Sequence, residues 1–174
     1  MTRKMLFLIG ALLVGSFSLD AEEASLKLKR VYVDVVGDLP HLGHIEFYKK
    51  AKAEGDYLIV GVHSDEDVAS YKRVPILTLR ERVAMVEALR VVDEVIPAAP
   101  LKITEEWLNE RHIDVVVHGD DFVANPVLLN EQYGAPIRMG IFKMVPYTQG
   151  ISTTDIIQRI QRRALLEEKQ APST

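Results

Sequence analysis

Val31-Tyr32-Val33-Asp34-Val35-Val36, followed after Gly37-Asp38-Leu39-Pro40 by His41-Leu42-Gly43-His44, decides the fold. The first run is apolar and β-branched with almost no alternation, the pattern of a strand covered on both faces. Residues 45–53 carry helical spacing and stop near Gly55. The two histidines therefore stand at a strand-to-helix turn. Such a turn leaves backbone N–H groups without intrahelical acceptors beside the positive end of a helix dipole, which suits an anion. Imidazole adds a proton-bearing donor near neutral pH. The combination points to a triphosphate held while its α-phosphorus is attacked. Taken alone, four residues describe equally well two histidines on an ordinary surface turn.

Outward from this stretch, strand and helix patterns alternate. Tyr57–Val62 is a second continuous apolar run. Thr78-Leu79-Arg80-Glu81 has the form of a capping box and opens a helix to about Arg90. Residues 92–96 read as a short strand stopped by Pro97 and Pro100, residues 104–111 as a helix carrying the one tryptophan, Trp107, and residues 114–118 as a strand ending at Gly119. Residues 141–145 read as the last strand and residues 152–166 as the last helix. Alternation of this kind predicts a single α/β domain with a doubly wound parallel sheet. In such sheets ligands lie beyond the carboxyl ends of the strands, at a switch point. The chemistry is therefore expected at residues 37–44, 63–72 and 118–122 and before the last helix.

Hydrophobic content of 48% and charged content of 26% are those of a globular protein, and a net charge of -4 offers no basic footprint for nucleic acid. With no cysteine, disulfides, thiolate catalysis and cysteine-ligated metals are excluded. Arg3 and Lys4 precede an apolar run from Met5 to Leu19, followed by Asp20, Glu22 and Glu23. This has the form of a signal peptide, with Ser16, Ser18 or Ala21 at cleavage positions, and is short for a spanning helix of ~20 residues. A cleaved signal, an uncleaved membrane anchor and an upstream start codon all fit it. Residues 1–25 are set aside on this reading. The domain is expected over 26–168, with a flexible tail at 169–174.

Gly150-Ile151-Ser152-Thr153-Thr154-Asp155 fits a helix N-cap, whose hydroxyls and amides also suit phosphate. His118-Gly119-Asp120-Asp121 reads as a polar turn, or as carboxylates for a metal or a nucleoside. Lys72, Arg73 and Arg90 are basic residues able to clamp phosphate. Asp38 is placed to orient a histidine or hold magnesium. His63 and Trp107 are candidates for an acceptor pocket, although each residue type is more often structural in such positions.

Taken together and in order, these segments resemble the cytidylyltransferases of the HxGH nucleotidyltransferase superfamily, nearest to those acting on ethanolamine phosphate and choline phosphate. The matching text runs through residues 31–160: Val31-Tyr32-Val33-Asp34 leading to Asp38 and His41-Leu42-Gly43-His44, residues 55–68, Tyr71-Lys72, the Leu79 to Arg82 helix start, residues 91–100, residues 113–121 and residues 150–157. The resemblance implies a Rossmann-like fold of the nucleotidyltransferase type. It implies transfer of CMP from CTP to a phosphorylated alcohol, with pyrophosphate released and Mg²⁺ accompanying CTP. It implies catalytic roles for His41, His44, Lys72 and Arg90. Nucleotide contacts are implied for Val35, Val36, Gly37, Asp38, Gly43, His118, Gly119, Asp120, Thr148, Gly150, Ile151, Ser152 and Thr153. His63, Tyr71, Trp107 and Tyr147 are expected near the acceptor. A homodimer working on the cytosolic side is expected, with membrane association through residues 5–19 left open.

Two departures stand out. The family usually has Gly-x-Phe-Asp before its HxGH, where this chain has Val35-Val36-Gly37-Asp38; Gly37 is the candidate to restore backbone freedom. The family usually has Arg-Thr-x-Gly before its Ser-Thr pair, where this chain has Tyr147-Thr148-Gln149-Gly150, with Arg138 or Lys143 as candidate replacements for the guanidinium. Phosphoethanolamine is the first acceptor expected. The aromatic content of 7% disfavours an aromatic cage for choline, though Tyr71, Trp107, Phe122 and Tyr147 are able to supply one. The rival readings are glycerol-3-phosphate or phosphocholine as acceptor, ATP as donor, or a nucleotide-binding scaffold without turnover.

Overall fold

The β-branched runs hydrogen-bond side by side into one parallel sheet in the computed structural model, which describes residues 27–120 and 126–170. The expectations for residues 1–25, for Asp121 and Phe122, and for the end of the tail fall outside the described residues. The chain runs β1 (Arg30–Val35), α1 (Leu42–Lys52), β2 (Tyr57–Val62), α2 (Asp65–Tyr71), α3 (Leu79–Glu87), β3 (Glu94–Pro97), α4 (Glu105–Glu110), β4 (Val115–Gly119), α5 (Pro126–Arg138), β5 (Phe142–Val145) and α6 (Thr153–Gln170). The strand order is β3-β2-β1-β4-β5. In register, Val31 lies between Leu58 and Val115.

Successive side chains of β1 face opposite layers, as strand geometry requires. Val31 and Val33 pack with Tyr48 and Ala51 of α1 and Val86 of α3. Tyr32 packs with Leu108 of α4 and Tyr133 of α5. Both faces are covered, which is why the strands read as continuous apolar runs, and the doubly wound expectation holds. The connections after β1 build outward to β3 on one side, and β4 and β5 lie on the other. The carboxyl ends of β1 and β4 therefore part around a crevice.

Two helices went unread in the sequence. The first, α2, has seven residues with three acids in its first turn and only Val68 buried, too little for an apolar period. The second, α5, contains Gly134 and Pro136. A proline inside a helix cannot bond the carbonyl four residues back. Here that carbonyl, Gln132 O, accepts Ile103 N–H at 2.9 Å, so the gap becomes a tertiary contact. The helix expected to reach Arg90 stops at Glu87, and the following turn brings Leu89, Val91 and Val92 onto the core. The last helix continues to Gln170, beyond residue 166.

Arg82 is 0% exposed and holds the carboxyl ends of the strands together. Its guanidinium donates to Val36 O beyond β1, to His63 O beyond β2 at 2.8 Å, to Leu77 O at 3.2 Å and to Asp65 Oδ1 at 2.6 Å. Removing it leaves these acceptors without a donor. Arg82→Met is expected to lower unfolding free energy by about 3 kcal/mol in urea denaturation; a loss below ~1 kcal/mol shows that the bonds are replaceable by water.

Candidate active site

His41 is the N-cap of α1. Its ring Nδ1 accepts Gly43 N–H at 3.1 Å, and His44 Nδ1 accepts His41 N–H at 3.3 Å. The two histidines thus cap the helix reciprocally, with the three-residue spacing of a capping box. An Nδ1 that accepts a backbone N–H carries no proton, so each neutral ring bears its proton on Nε2. A Cβ on Gly43 would fall 2.8 Å from His41 Cε1, so only glycine admits the ring there. The His41 and His44 ring centroids lie 4.0 Å apart.

Both imidazoles are kept neutral. Burial lowers the pKa of His41. Burial, then the charges of His41 and Lys72, push His44 down to about 4, with the Asp38 charge opposing them. In neutral form each ring offers one Nε2–H donor.

The rings open onto a cleft at the β1–β4 crevice. It is lined by Val35, Val36, Gly37 and Asp38, by His41, Gly43 and His44, by His63, by Tyr71, Lys72 and Arg73, by His118 and Gly119, and by Tyr147, Thr148, Ser152 and Thr153. These are most of the residues singled out in the sequence. Gly37 has φ +69°, a conformation that disfavours a side chain, which supports the freedom expected of it.

Several expectations are corrected. Asp38 makes no hydrogen bond to a histidine: its carboxylate accepts Ile76 N–H and Leu77 N–H, each bond 3.0 to 3.1 Å. Its carbonyl accepts Thr153 Oγ1–H at 2.8 Å. Ser152 Oγ accepts Asp155 N–H and donates to Asp155 Oδ2, the expected cap. Both hydroxyls of the pair are thus engaged locally, as are the amides of Asp155 and Ile156, and what remains for an anion at the start of α6 is the amides of Thr153 and Thr154. Asp120 is not among the cleft-lining residues; its Oδ1 accepts Tyr147 N–H at 2.8 Å and holds that loop. Gly150, at φ +89°, and Ile151 shape the entry to α6 from outside the lining.

Trp107 lies away from the cleft, edge-on to Tyr32 at 4.9 Å with the Arg111 guanidinium over its other side. Arg90 is exposed on the turn after α3 and does not line the cleft. Of the replacements considered for a missing guanidinium, Lys143 pairs with Glu54 at 2.6 Å, and Arg138 is absent from the cleft lining.

The cleft floor joins the expected His63 and Tyr71 to two residues that the sequence did not single out for the site, Asp34 and Tyr133. Asp34 is 5% exposed; one oxygen accepts the Tyr133 hydroxyl, and the other has no hydrogen-bond partner. His63 Nδ1–H donates to Ala99 O at 3.0 Å, and its Nε2 lies 3.9 Å from Asp34 Oδ1. Burial first, then the Asp34 charge, raise the pKa of Tyr133 far above the ordinary range and that of Tyr71 to about 12, so both phenols stay neutral. The signal was an acidic residue inside an otherwise apolar strand buried on both faces.

A parallel sheet of order 3-2-1-4-5, with a helix capped by two histidines at its switch point, defines an α/β protein of the Rossmann-like type. The chain belongs to the cytidylyltransferase-like family, whose model matches residues 37–159. It is 46% identical over 135 residues to the ethanolamine-phosphate cytidylyltransferase of Dictyostelium discoideum, covering 76% of this chain and 38% of that one. It is 42% identical over 134 residues to the corresponding protein of Mus musculus, covering 77% and 33%. It is 41% identical over 135 residues to choline-phosphate cytidylyltransferase A of Homo sapiens, covering 76% and 36%. The chain thus spans about a third of the length of these relatives. Among solved structures, the lipopolysaccharide core biosynthesis protein of Thermoplasma volcanium matches with a TM-score of 0.56 at 28% identity, covering 71% of this chain and 99% of that one.

The unfolded chain takes up the His44 proton near 6.5, whereas the fold takes it up only near 4. Between those values the unfolded state binds more protons, so His44 lowers stability as pH falls through this window. By NMR titration the His44 ring is expected to titrate near 4, rising when pyrophosphate is added. A midpoint at or above 6.5 without ligand contradicts the neutral donor.

Proposed function

We propose that this domain moves CMP from CTP to phosphoethanolamine, giving CDP-ethanolamine and pyrophosphate. The observation that carries this reading is that one cleft is lined by two kinds of group. The histidine Nε2–H donors, Lys72 and the start of α6 suit a triphosphate. The buried carboxylate of Asp34, with an oxygen that has no hydrogen-bond partner, suits a primary ammonium able to donate to it. An acceptor with phosphate at one end and ammonium at the other fits between. The names of the relatives at 42% and 46% identity support the same acceptor.

In this reaction a phosphate oxygen of the acceptor attacks the α-phosphorus in line. The new P–O bond forms as the bond to the β-phosphate breaks, and the electron pair leaves with pyrophosphate. No covalent enzyme intermediate is needed. The residues position both phosphates and offset the charge that develops between them. His41 and His44 donate from Nε2, fixed in direction by their Nδ1 bonds, and Lys72 adds positive charge. Mg²⁺ belongs to this proposal as a companion of CTP, held by phosphate oxygens and water. Both Asp38 oxygens already accept amides, and among the described residues no group of three His, Asp or Glu side chains gathers to ligate a metal.

A homodimer on the cytosolic side, where CTP is made, is part of the same proposal. Its support is the apolar surface that α6 exposes at Ile160, Leu165 and Leu166. No helix among the described residues is long and apolar enough to cross a membrane.

The test is pyrophosphate release from CTP or ATP with phosphoethanolamine, phosphocholine or glycerol-3-phosphate, on protein from about Ser25 onward. Turnover is expected to be fastest with CTP and phosphoethanolamine, and absence of release from every pairing by folded protein refutes the proposal. His44→Ala is expected to lower kcat at least ~10²-fold. Asp34→Asn is expected to raise the phosphoethanolamine KM by about 10²-fold while leaving the CTP KM nearly unchanged; an equal effect on both substrates removes Asp34 from the acceptor site.

A further inference from the structure

The cations available to a triphosphate in this cleft are few. Among the described residues that line it, only Lys72 and Arg73 carry a fixed positive charge. The Tyr147 loop presents a phenol to the cleft, and the nearby Lys50 donates to Pro146 O and Thr148 Oγ1 beneath that loop.

Arg73 is placed to act. It follows Lys72, the C-cap of α2, and precedes the segment whose amides Asp38 holds at Ile76 and Leu77. It is therefore anchored on both sides. Its Nη1 reaches Thr154 Oγ1 on the first turn of α6 at 3.4 Å. Among the described residues no carboxylate pairs with it, although most of the other interior or semi-buried cations here are paired or bonded to carbonyls. An exposed guanidinium on the cleft wall, touching the first turn of α6 and paired with no carboxylate, is poised to share an anion with that helix N-terminus.

We infer that Arg73 is the guanidinium clamp of the triphosphate, closing on the β- and γ-phosphates from the α2–α3 loop while the α6 amides approach from the other side. The role that a residue at position 147 would fill from the loop before α6 is here moved across the cleft to position 73. This rests on the reaction proposed above for the identity of the ligand, but not for the presence of a phosphate clamp. A planar fork makes two parallel bonds to a phosphate where a lysine makes one, so the clamp also distinguishes Arg73 from Lys72.

The test uses pyrophosphate and CTP as probes on the full chain, by calorimetry, with steady-state kinetics in parallel. Arg73→Ala is expected to weaken both probes by 10- to 100-fold, roughly the loss of a charge-assisted bond. Arg73→Lys is expected to recover part of that loss. The phosphoethanolamine KM and the melting temperature are expected to stay near those of the parent. Affinity for pyrophosphate within twofold of the parent in Arg73→Ala overturns the inference. So does an equal loss in the Ala and Lys variants accompanied by a lower melting temperature, which marks a structural tether. A parent protein that binds neither probe overturns it as well. Arg73-dependent pyrophosphate binding without CMP transfer leaves the clamp standing and removes the proposed reaction, whereas CMP transfer indifferent to Arg73 does the reverse.

Discussion

Asp38 is the residue on which the shape of the cleft depends. It is buried, one position after a glycine at φ +69° and one before Leu39 at φ +46°. A left-handed leucine costs roughly 1–2 kcal/mol and persists only where its surroundings hold it. They do so here: the Asp38 carboxylate takes two amides of the segment before α3, and its carbonyl takes the Thr153 hydroxyl of α6. A single side chain and its own backbone thus index two walls of the cleft to the end of β1. Lys72 and Arg73 come from one of those walls and the α6 amides from the other. Arg82 completes the frame from below by joining the ends of β1 and β2. The site is assembled from loops, yet each loop is bonded to the rigid sheet.

How much of this was legible in the sequence follows from what each residue type advertises. The strands were legible because Val31–Val35 and Tyr57–Val62 are largely buried on both faces and show it as apolar runs without strict alternation, broken in the first only by Asp34. The histidine-lined cleft was legible because glycine and histidine at a strand end are chemically conspicuous. α5 was hidden by Pro136, whose cost is offset by a contact 29 positions away in the chain, from Ile103 to Gln132. No local pattern carries that information. Arg82 was hidden for a related reason. On a helix whose other charges face water, a buried arginine looks like one more solvated residue, and its four partners come from three separate segments. Asp38 was legible as a cleft residue but not as a positioning one, because a carboxylate beside histidines suggests a ligand while its hydrogen-bond partners are amides 38 and 39 positions on.

The spacing of the two histidines has a physical origin in the helix start. Position N3 is where a side chain folds back to the N-cap backbone, so two rings three apart can each occupy the other's capping position. Gly43 is required because the His41 ring lies where its Cβ would be. The reciprocal bonds do more than start α1. They remove both Nδ1 atoms from competition, fix the tautomer, and direct an Nε2–H from each ring. Capping and donation are therefore one arrangement, and neither ring can be replaced by an ordinary cap such as serine without losing the donor.

The charge state of the rings completes the argument. Had His41 and His44 been cationic at rest, their 4.0 Å separation and the nearby Lys72 charge would strain the empty cleft. Burial keeps them neutral, so the positive field of the site rests on Lys72, Arg73 and the α6 dipole. In the proposed reaction those groups are fixed charges that would offset a triphosphate in its resting state. The imidazoles would respond differently: the affinity of an imidazole for a proton rises as negative charge gathers beside it, so its donor strength would grow as charge shifts onto the leaving phosphates. A site that divides the work in this way would bind the ground state with one set of groups and favour the transition state with the other. In the same proposal the unpartnered oxygen of Asp34 keeps its capacity for a donor that the acceptor would bring.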